Sequence, residues 1–260
     1  MTTPSLDING AIARITLQRP EAANKLAPED ITALRAHLRE INAADGVRVL
    51  ILQSAGKHFC SGHDLAELAA NPRSGNGFGD MVDALAACRP VTIAAVQGGA
   101  FGGGADLALA CDFRVGGPQS RVRVPPVQLG LHLYQSGLER FVSRLGLNMA
   151  RRLLLAAEPL DAAAMLDCGF LTHFSNGPDI TGAVDELAAT LARMAPLALL
   201  GMKESLNQIA CGRPDAALIA ARVQRTILSE DLQEGIQALQ QKREPVFKGR
   251  KKSQGPLHRP

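Results

Sequence analysis

The chain has 260 residues, of which 46% are hydrophobic, and a formal net charge of +3. This length is sufficient for one large domain or two small ones with a sizeable core. Residues 248–260 carry five positive charges and no acid, and subtracting those five from +3 leaves −2 for the rest. The body therefore lacks the basic face of a nucleic-acid binder, and no nucleic-acid partner is expected.

Five cysteines are spread along the chain, and no C-x-x-C pair occurs. This pattern predicts neither a disulfide framework nor a metal site. We find no charged N-terminal segment followed by an apolar run, and no apolar stretch of about 18 residues, so neither a signal peptide nor a membrane span is expected. A cytoplasmic, reducing environment is the favoured location.

In chain order, Asn9-Gly10 predicts a tight hairpin turn between strands at residues 6–8 and 11–17. A helix is predicted from Pro28, because proline fits the first helical turn. Its apolar face repeats at helical spacing, with Ile31, Leu34, Leu38 and Ile41. The next predicted elements are a buried strand (47–52), a short helix (65–70), a polar, glycine-rich mobile surface loop (71–79), a helix (80–88) and a buried strand (91–96).

A glycine triplet at residues 102–104 precedes a predicted apolar helix (105–111) and two strands (113–115 and 121–124). The second half is mainly helical by periodicity, with one short strand at 171–174. The helical segments are 137–145, 148–156, 161–168, 181–194, 197–211 and 214–242. This order indicates an α/β core that carries a helical C-terminal part.

Two segments share one pattern, in which a buried strand leads into a glycine-containing loop and then a helix. They are residues 59–65 (FCSGHDL) and 101–107 (FGGGADL). A helix N-terminus presents unpaired N–H groups, and glycine lets the backbone approach a ligand closely. Two such amides that converge on one point would form an oxyanion hole. Glycine triplets also serve turns and close helix packing, and neither a Walker loop nor a dinucleotide fingerprint is present.

Four stretches of the chain resemble the crotonase (enoyl-CoA hydratase/isomerase) superfamily. They are residues 15–24 (ITLQRPEAAN), 47–68 (VRVLILQSAGKHFCSGHDLAEL), 90–115 (PVTIAAVQGGAFGGGADLALACDFRV) and 229–247 (SEDLQEGIQALQQKREPVF). The resemblance implies an α/β fold, a crotonase-like spiral of repeated ββα units with a helical C-terminal region. It also implies a core at 1–195 and trimerisation helices at 196–247. The basic tail at 248–260 either contacts a phosphate or, as is more common for a charged terminus, is solvated and mobile.

The resemblance further implies an acyl-CoA substrate and a homotrimer or a dimer of trimers. No cofactor is expected besides the coenzyme A that forms part of the substrate. By position in the motifs, His63 and Gly103 supply the oxyanion-hole N–H groups, and Lys25 is the candidate for a CoA phosphate. Substrate contacts are expected from Ser61, Gly62, Asp64, Leu65, Gly102, Pro126 and Leu133. Asp64 has a second possible role, which is to fix its loop by hydrogen bonding.

The chain departs from the hydratases of this superfamily, which use two glutamates to activate water. Asp106 stands at the first of these positions and Pro126 at the second, so one proton-transfer partner is missing. Proline at this position resembles methylmalonyl-CoA decarboxylase. A decarboxylase of this type has a tyrosine at the place of Leu133, whereas this chain has Tyr134 beside it.

Two roles stay open for each candidate side chain. Asp106 either transfers a proton or caps the start of its helix. Tyr134 is either catalytic or a packing residue with its hydroxyl at a surface, and the His63 ring either orients a substrate carboxylate or fills the pocket wall. We expect Gly103→Pro to abolish turnover while leaving the fold largely intact.

Three functions are consistent with these residues. The first is an acyl-CoA lyase that decarboxylates a short malonyl-type thioester through an enolate held in the oxyanion hole. The second is an enoyl-CoA hydratase or isomerase with Asp106 as its only catalytic carboxylate. The third is a non-catalytic acyl-CoA-binding protein.

Overall fold

The computed structural model describes residues 2–70, 75–177 and 179–250. Its strands are β1 (Ser5–Asn9), β2 (Ile12–Leu17), β3 (Val49–Ser54), β4 (Val91–Val96), β5 (Gly99–Phe101), β6 (Phe113–Gly116), β7 (Arg121–Arg123) and β8 (His173–Phe174). Its α-helices are α1 (Pro28–Ala43), α2 (Leu65–Ala70), α3 (Gly77–Ala86), α4 (Gly103–Ala110), α5 (Gln135–Leu154), α6 (Ala162–Asp167), α7 (Thr181–Ala192), α8 (Pro196–Ala210), α9 (Ala216–Ile227) and α10 (Glu230–Gln241).

Six strands form a main sheet in the order β1-β2-β3-β4-β6-β8. The β1–β2 pair is antiparallel, and the pairs that follow it are parallel. A second, two-stranded parallel sheet contains β5 and β7. The chain thus passes twice from the main sheet to the small sheet and on to a helix, as β4-β5-α4 and β6-β7-α5. These units confirm the predicted α/β class with repeated ββα elements.

The strands predicted near the start of the chain are confirmed. β1 pairs with β2 up to Asn9↔Ile12, and Gly10 in the turn has a φ of +58°. β4 occupies the predicted range, and all six of its residues are buried. Parallel strands covered on both faces bury side chains at every position, which is why this run shows no alternation. Its one polar residue, Thr92, donates its hydroxyl to Asp112 at 3.0 Å.

The predicted surface loop at 71–79 is partly wrong, because α3 already begins at Gly77. Asn76 caps this helix by accepting a hydrogen bond from Gly79 N at 3.2 Å. Phe78, which the sequence placed in the loop, is only 7% exposed. Residues 71–74 lie outside the described part of the chain, so the mobility predicted for them stays a prediction.

Two other segments differ from the sequence predictions. The segment 214–242, predicted as one helix, forms α9 and α10, because Ser229 caps α10 by accepting a hydrogen bond from Leu232 N. β5 was not predicted, since its three residues follow directly on the Gly98 turn. The predicted break within α5 is confirmed at Gly146, where φ is +75°.

The described residues divide into two compact units, one that ends at Ala189 and one that begins at Thr190. The core of the first unit combines side chains from β2, β3, β4, α1, α3, α4 and α5. The second unit contains α8, α9 and α10. In this unit the N–H groups of Lys248 and Gly249 donate to Asp231 at 2.7 and 2.9 Å, so the first residues after 247 are held against α10.

Along the ranges that the structure describes, no helix combines the length and apolar character needed to cross a membrane. The same residues contain no group of three or more His, Cys, Asp and Glu side chains arranged to hold a metal ion.

Candidate functional site

The two glycine-bearing loops lie directly against each other. Phe101 N donates to Cys60 O at 2.8 Å, and Phe59 N donates to Gly99 O at 3.0 Å. A Cβ placed on Gly62 would lie 2.5 Å from the backbone N of Gly103. This approach requires glycine at position 62, whose φ of +86° also favours glycine. The tertiary structure therefore brings together the two loops that the sequence singled out.

The two amides assigned to the oxyanion hole have no acceptor within the described part of the chain. Leu26 N donates to Gly62 O and Asp64 N donates to Leu26 O, which directs the intervening His63 N–H away from Leu26. Gly103 is the first residue of α4, where an N–H has no intrahelical acceptor. Both N–H groups are therefore available to a ligand.

Phe78 forms a wall at this point and was missed by the sequence analysis. Its ring stacks on that of His63 with 5.5 Å between centroids and 22° between planes. A Cβ on Gly103 would lie 2.6 Å from the Phe78 ring. Gly103→Pro is therefore not the clean removal of one donor that the sequence suggested, because the proline ring would also displace Phe78.

Burial lowers the pKa of His63 below its ordinary value of 6.5, against the opposing charges of Asp64 and Glu67. The imidazole is therefore neutral at pH 7. A neutral ring stacked on an aromatic residue fits the wall role better than the role of a cation that binds a substrate carboxylate.

The first loop is fixed by hydrogen bonds on both sides. Asp64 accepts from Ala66 N at 3.1 Å and pairs with Lys25 Nζ at 2.8 Å, and the Lys25 hydrogen bond lowers the pKa of Asp64. Cys60 Sγ accepts from Gly62 N at 3.3 Å. Asp64 thus has the loop-fixing contacts considered for it, and Lys25, the candidate for a CoA phosphate, already pairs with this carboxylate.

The remaining predicted contact residues surround these loops. Ser61 Oγ donates to Ala22 O at 3.4 Å, and Leu65, at the start of α2, is 48% exposed. Gly102 N donates to Arg123 O at 2.9 Å, so this amide is already used to join the second loop to β7.

Asp106 lies in the fourth position of α4 and is only 3% exposed. Arg140 from α5 binds both of its carboxylate oxygens, Nε to Oδ1 and Nη2 to Oδ2, each at 2.8 Å. The Tyr134 hydroxyl donates a short hydrogen bond to Oδ2. Gly102, not Asp106, is the cap of α4, so the helix-capping role considered for Asp106 is wrong.

Arg140 also reaches a second acid. Its Nη1 donates to Asp83 on α3 at 2.5 Å, and Asp83 accepts from Ser136 Oγ at 2.9 Å. We call these five residues the Asp106 cluster, which consists of Asp83, Asp106, Tyr134, Ser136 and Arg140. No pattern in the sequence marked Arg140, because it is one of several arginines on an amphipathic helix.

The electrostatics of the Asp106 cluster keep Tyr134 protonated. Burial, followed by the charge and hydrogen bond of Asp106, raises the pKa of Tyr134 well above 10. Burial opposes the charged form of Arg140, yet hydrogen bonds to Asp106 and Asp83 raise the pKa of Arg140 above its usual value. The cluster is therefore an ion pair with a neutral phenol attached.

The segment that carries Pro126, Leu133 and Tyr134 connects β7 to α5. Pro126 is buried at the start of a 3-10 turn. Leu133 and Tyr134 are both partly buried against the core, and the Tyr134 hydroxyl is the group that reaches Asp106. The tyrosine one position after the expected place thus contacts a predicted site residue.

Known proteins resemble this chain in sequence and in fold. The family model described as enoyl-CoA hydratase/isomerase matches residues 7–250. The chain belongs to the enoyl-CoA hydratase/isomerase family. It is 33% identical over 250 residues to the 2,3-dehydroadipyl-CoA hydratase of Escherichia coli (strain K12), covering 91% of this chain and 94% of the relative. It is 31% identical over 270 residues to the enoyl-CoA isomerase/hydratase fer4 of Mycosarcoma maydis, with 95% of each chain covered.

Among solved structures, an enoyl-CoA hydratase/carnithine racemase from Magnetospirillum magneticum superimposes with a TM-score of 0.88. Its sequence is 26% identical, and the match covers 96% of this chain and 97% of that one. The family assignment and this superposition confirm the superfamily and the crotonase-like fold implied by the sequence motifs.

Proposed function

We propose that this member of the enoyl-CoA hydratase/isomerase family binds the thioester oxygen of an acyl-CoA between the amides of His63 and Gly103. Two available N–H groups on abutting loops support this assignment. Fixed donors of this kind stabilise charge that develops on the oxygen, and each is typically worth about 3–4 kcal/mol in the transition state. The reaction they favour passes through a thioester enolate.

Within this chemistry, we propose a lyase reaction of decarboxylase type on a short malonyl-type acyl-CoA. The observation that carries this choice is that both oxygens of Asp106 are engaged by Arg140 and Tyr134, while Pro126 stands at the position of the second carboxylate. Loss of CO₂ breaks the bond from the α-carbon to the carboxylate and leaves its electron pair on the enolate. No general base is required for that step.

Hydration or isomerisation of an enoyl-CoA is the second candidate. The hydrogen bond between Tyr134 and Asp106 supports it, because it joins a hydroxyl to a carboxylate and could relay a proton. The names of the two relatives point the same way. The third candidate is a non-catalytic acyl-CoA-binding protein. The hydrogen bonds that occupy both oxygens of Asp106 support it, because they leave no free carboxylate for proton transfer.

A panel of thioesters separates these candidates. The purified protein is incubated with methylmalonyl-CoA, with crotonyl-CoA and with a 3-enoyl-CoA, and products are resolved by chromatography. We expect release of CO₂ from the malonyl-type thioester and little change in the other two. Rapid hydration of crotonyl-CoA would support the second candidate, and tight binding of all three without turnover would support the third.

We also propose a homotrimer or a dimer of trimers. The second unit exposes apolar side chains on all three of its helices. They are Met202, Leu206 and Ile209 on α8, Leu218, Val223 and Ile227 on α9, and Leu232, Ile236 and Leu239 on α10. Apolar surface of this extent favours burial in an interface. Light scattering during size-exclusion chromatography would give the mass, and a monomer at micromolar concentration would refute this proposal.

A further inference from the structure

One guanidinium group connects three helices in the first unit. Arg140 of α5 contacts Asp106 on α4 and Asp83 on α3, and its side chain is only 11% exposed. The bond to Asp106 is bidentate, with two contacts of 2.8 Å. Such a fork fixes the orientation of a carboxylate as well as its charge. The rotation of Asp106 is therefore fixed by Arg140.

Tyr134 is positioned by the same carboxylate. Its hydroxyl donates to Asp106, and its ring centroid lies 5.9 Å from Arg140 Cζ. A Cβ on Gly137 would lie 3.2 Å from the Tyr134 ring and 3.4 Å from Asp106 Oδ2. The backbone of Gly137 therefore passes close to both the phenol and the carboxylate, where a larger residue would crowd them.

The Asp106 cluster also lies close to the proposed thioester site. Asp106 follows Gly103 by three positions on α4, a rise of about 4.5 Å along the helix axis. Phe78, which contacts Gly103, lies on the same helix as Asp83. Asp106, which Arg140 holds, is thus about one helical turn from the Gly103 amide.

We propose that Arg140 is a positioning residue that locks Asp106 and thereby places the Tyr134 hydroxyl beside the acyl part of the substrate. Both oxygens of Asp106 accept hydrogen bonds from Arg140 and Tyr134. Asp106 therefore orients the Tyr134 hydroxyl and does not itself contact the substrate. The contact of Tyr134 with substrate rests on the proposed function, whereas the Arg140–Asp106–Tyr134 connection does not. Lysine cannot reproduce the fork, because its ammonium group is a point charge.

The connection can be tested without any substrate, because Tyr134 is the only tyrosine and the chain has no tryptophan. Absorbance at 295 nm against pH then reports the ionisation of this phenol alone. We expect it to ionise at higher pH than a free tyrosine. In Asp106→Asn, which removes the charge but keeps an acceptor, the ionisation should move down by about one pH unit or more. An unchanged titration would overturn the proposed connection.

Kinetics with the active thioester test the positioning role. Arg140→Lys keeps the positive charge and should lower kcat at least about tenfold, with KM changed by no more than about twofold. Tyr134 should still ionise at a higher pH than a free tyrosine. The matched control is Arg152→Lys on the same helix, which removes a similar fork to the exposed Glu158 outside the Asp106 cluster and should retain kcat. Full kcat in Arg140→Lys would overturn the positioning role. If no thioester is turned over, the proposed function fails, and the titration still decides whether the connection exists.

Discussion

Gly62→Ala should disable the proposed oxyanion hole without changing any polar side chain. The added Cβ would lie 2.5 Å from Gly103 N and 2.8 Å from Gly103 Cα, both backbone atoms that cannot rotate away. Ordinary contact begins near 3.4 Å, so the two loops must separate by roughly 0.9 Å. A misplacement of about 1 Å can cost about 100-fold in rate, which corresponds to about 2.7 kcal/mol. We expect a loss of this size in kcat/KM.

The same substitution also strains the backbone, and a matched control separates this effect. Gly62 and Gly169 have φ of +86° and +77°, but a Cβ on Gly169 meets no atom within 4 Å. The positive φ should cost each alanine about 1–2 kcal/mol of unfolding free energy, measured by urea denaturation, and Gly62→Ala should lose more because its Cβ also overlaps Gly103. Only Gly62→Ala should lose activity on the thioester identified in the panel. If both variants kept wild-type kcat/KM, the anion would not form between these loops.

Three further outcomes are expected from single sites. Phe78→Ala should lower the free energy of unfolding by about 3 kcal/mol, which urea denaturation measures. It should also reduce kcat/KM in the thioester assay, because the ring packs on His63. The hydrogen bond from Arg243 lowers the pKa of Glu234 from 4.5 to about 2. The stability that this carboxylate contributes is therefore present above pH 4.5 and lost as the pH falls toward 2, so the difference in Tm between wild type and Glu234→Gln should disappear over that range. Burial raises the pKa of Cys60 to about 12, so peptide mapping should find it unlabelled by a thiol reagent at pH 8 until the protein unfolds.

Local patterns in the sequence were sufficient for most of the fold. The Asn9-Gly10 turn and the largely apolar run of β4 depend on neighbouring residues only, and both are found as predicted. The helix start at Asn76 was missed, because a single capping side chain outweighed three nearby glycines. The helix cap at Asn76 and the glycines around it favour different local structures. The burial of Phe78 decides between them, and this burial cannot be read from the sequence around it.

Part of the candidate site could also be predicted from local sequence, and part could not. Its two glycine loops could be identified from residues 59–65 and 101–107, since each carries a strand, a glycine and a helix start in fixed order. Their contact at Gly62 and Gly103 depends on the pairing of Cys60 with Ala100, which are forty positions apart.

The sequence by itself determined the α/β class and the glycine-bearing backbone that the proposed anion site needs, because these follow from short-range periodicity and turn chemistry. The repeated ββα units were implied only by the resemblance of its motifs to the crotonase superfamily. Only the tertiary structure decided that Asp106 is held by Arg140 and Tyr134. That ion pair forms between α4 and α5, thirty-four positions apart, where the packing of helices removes both partners from water. The chemistry open to Asp106 is therefore set by its neighbours in space, which no motif around it records.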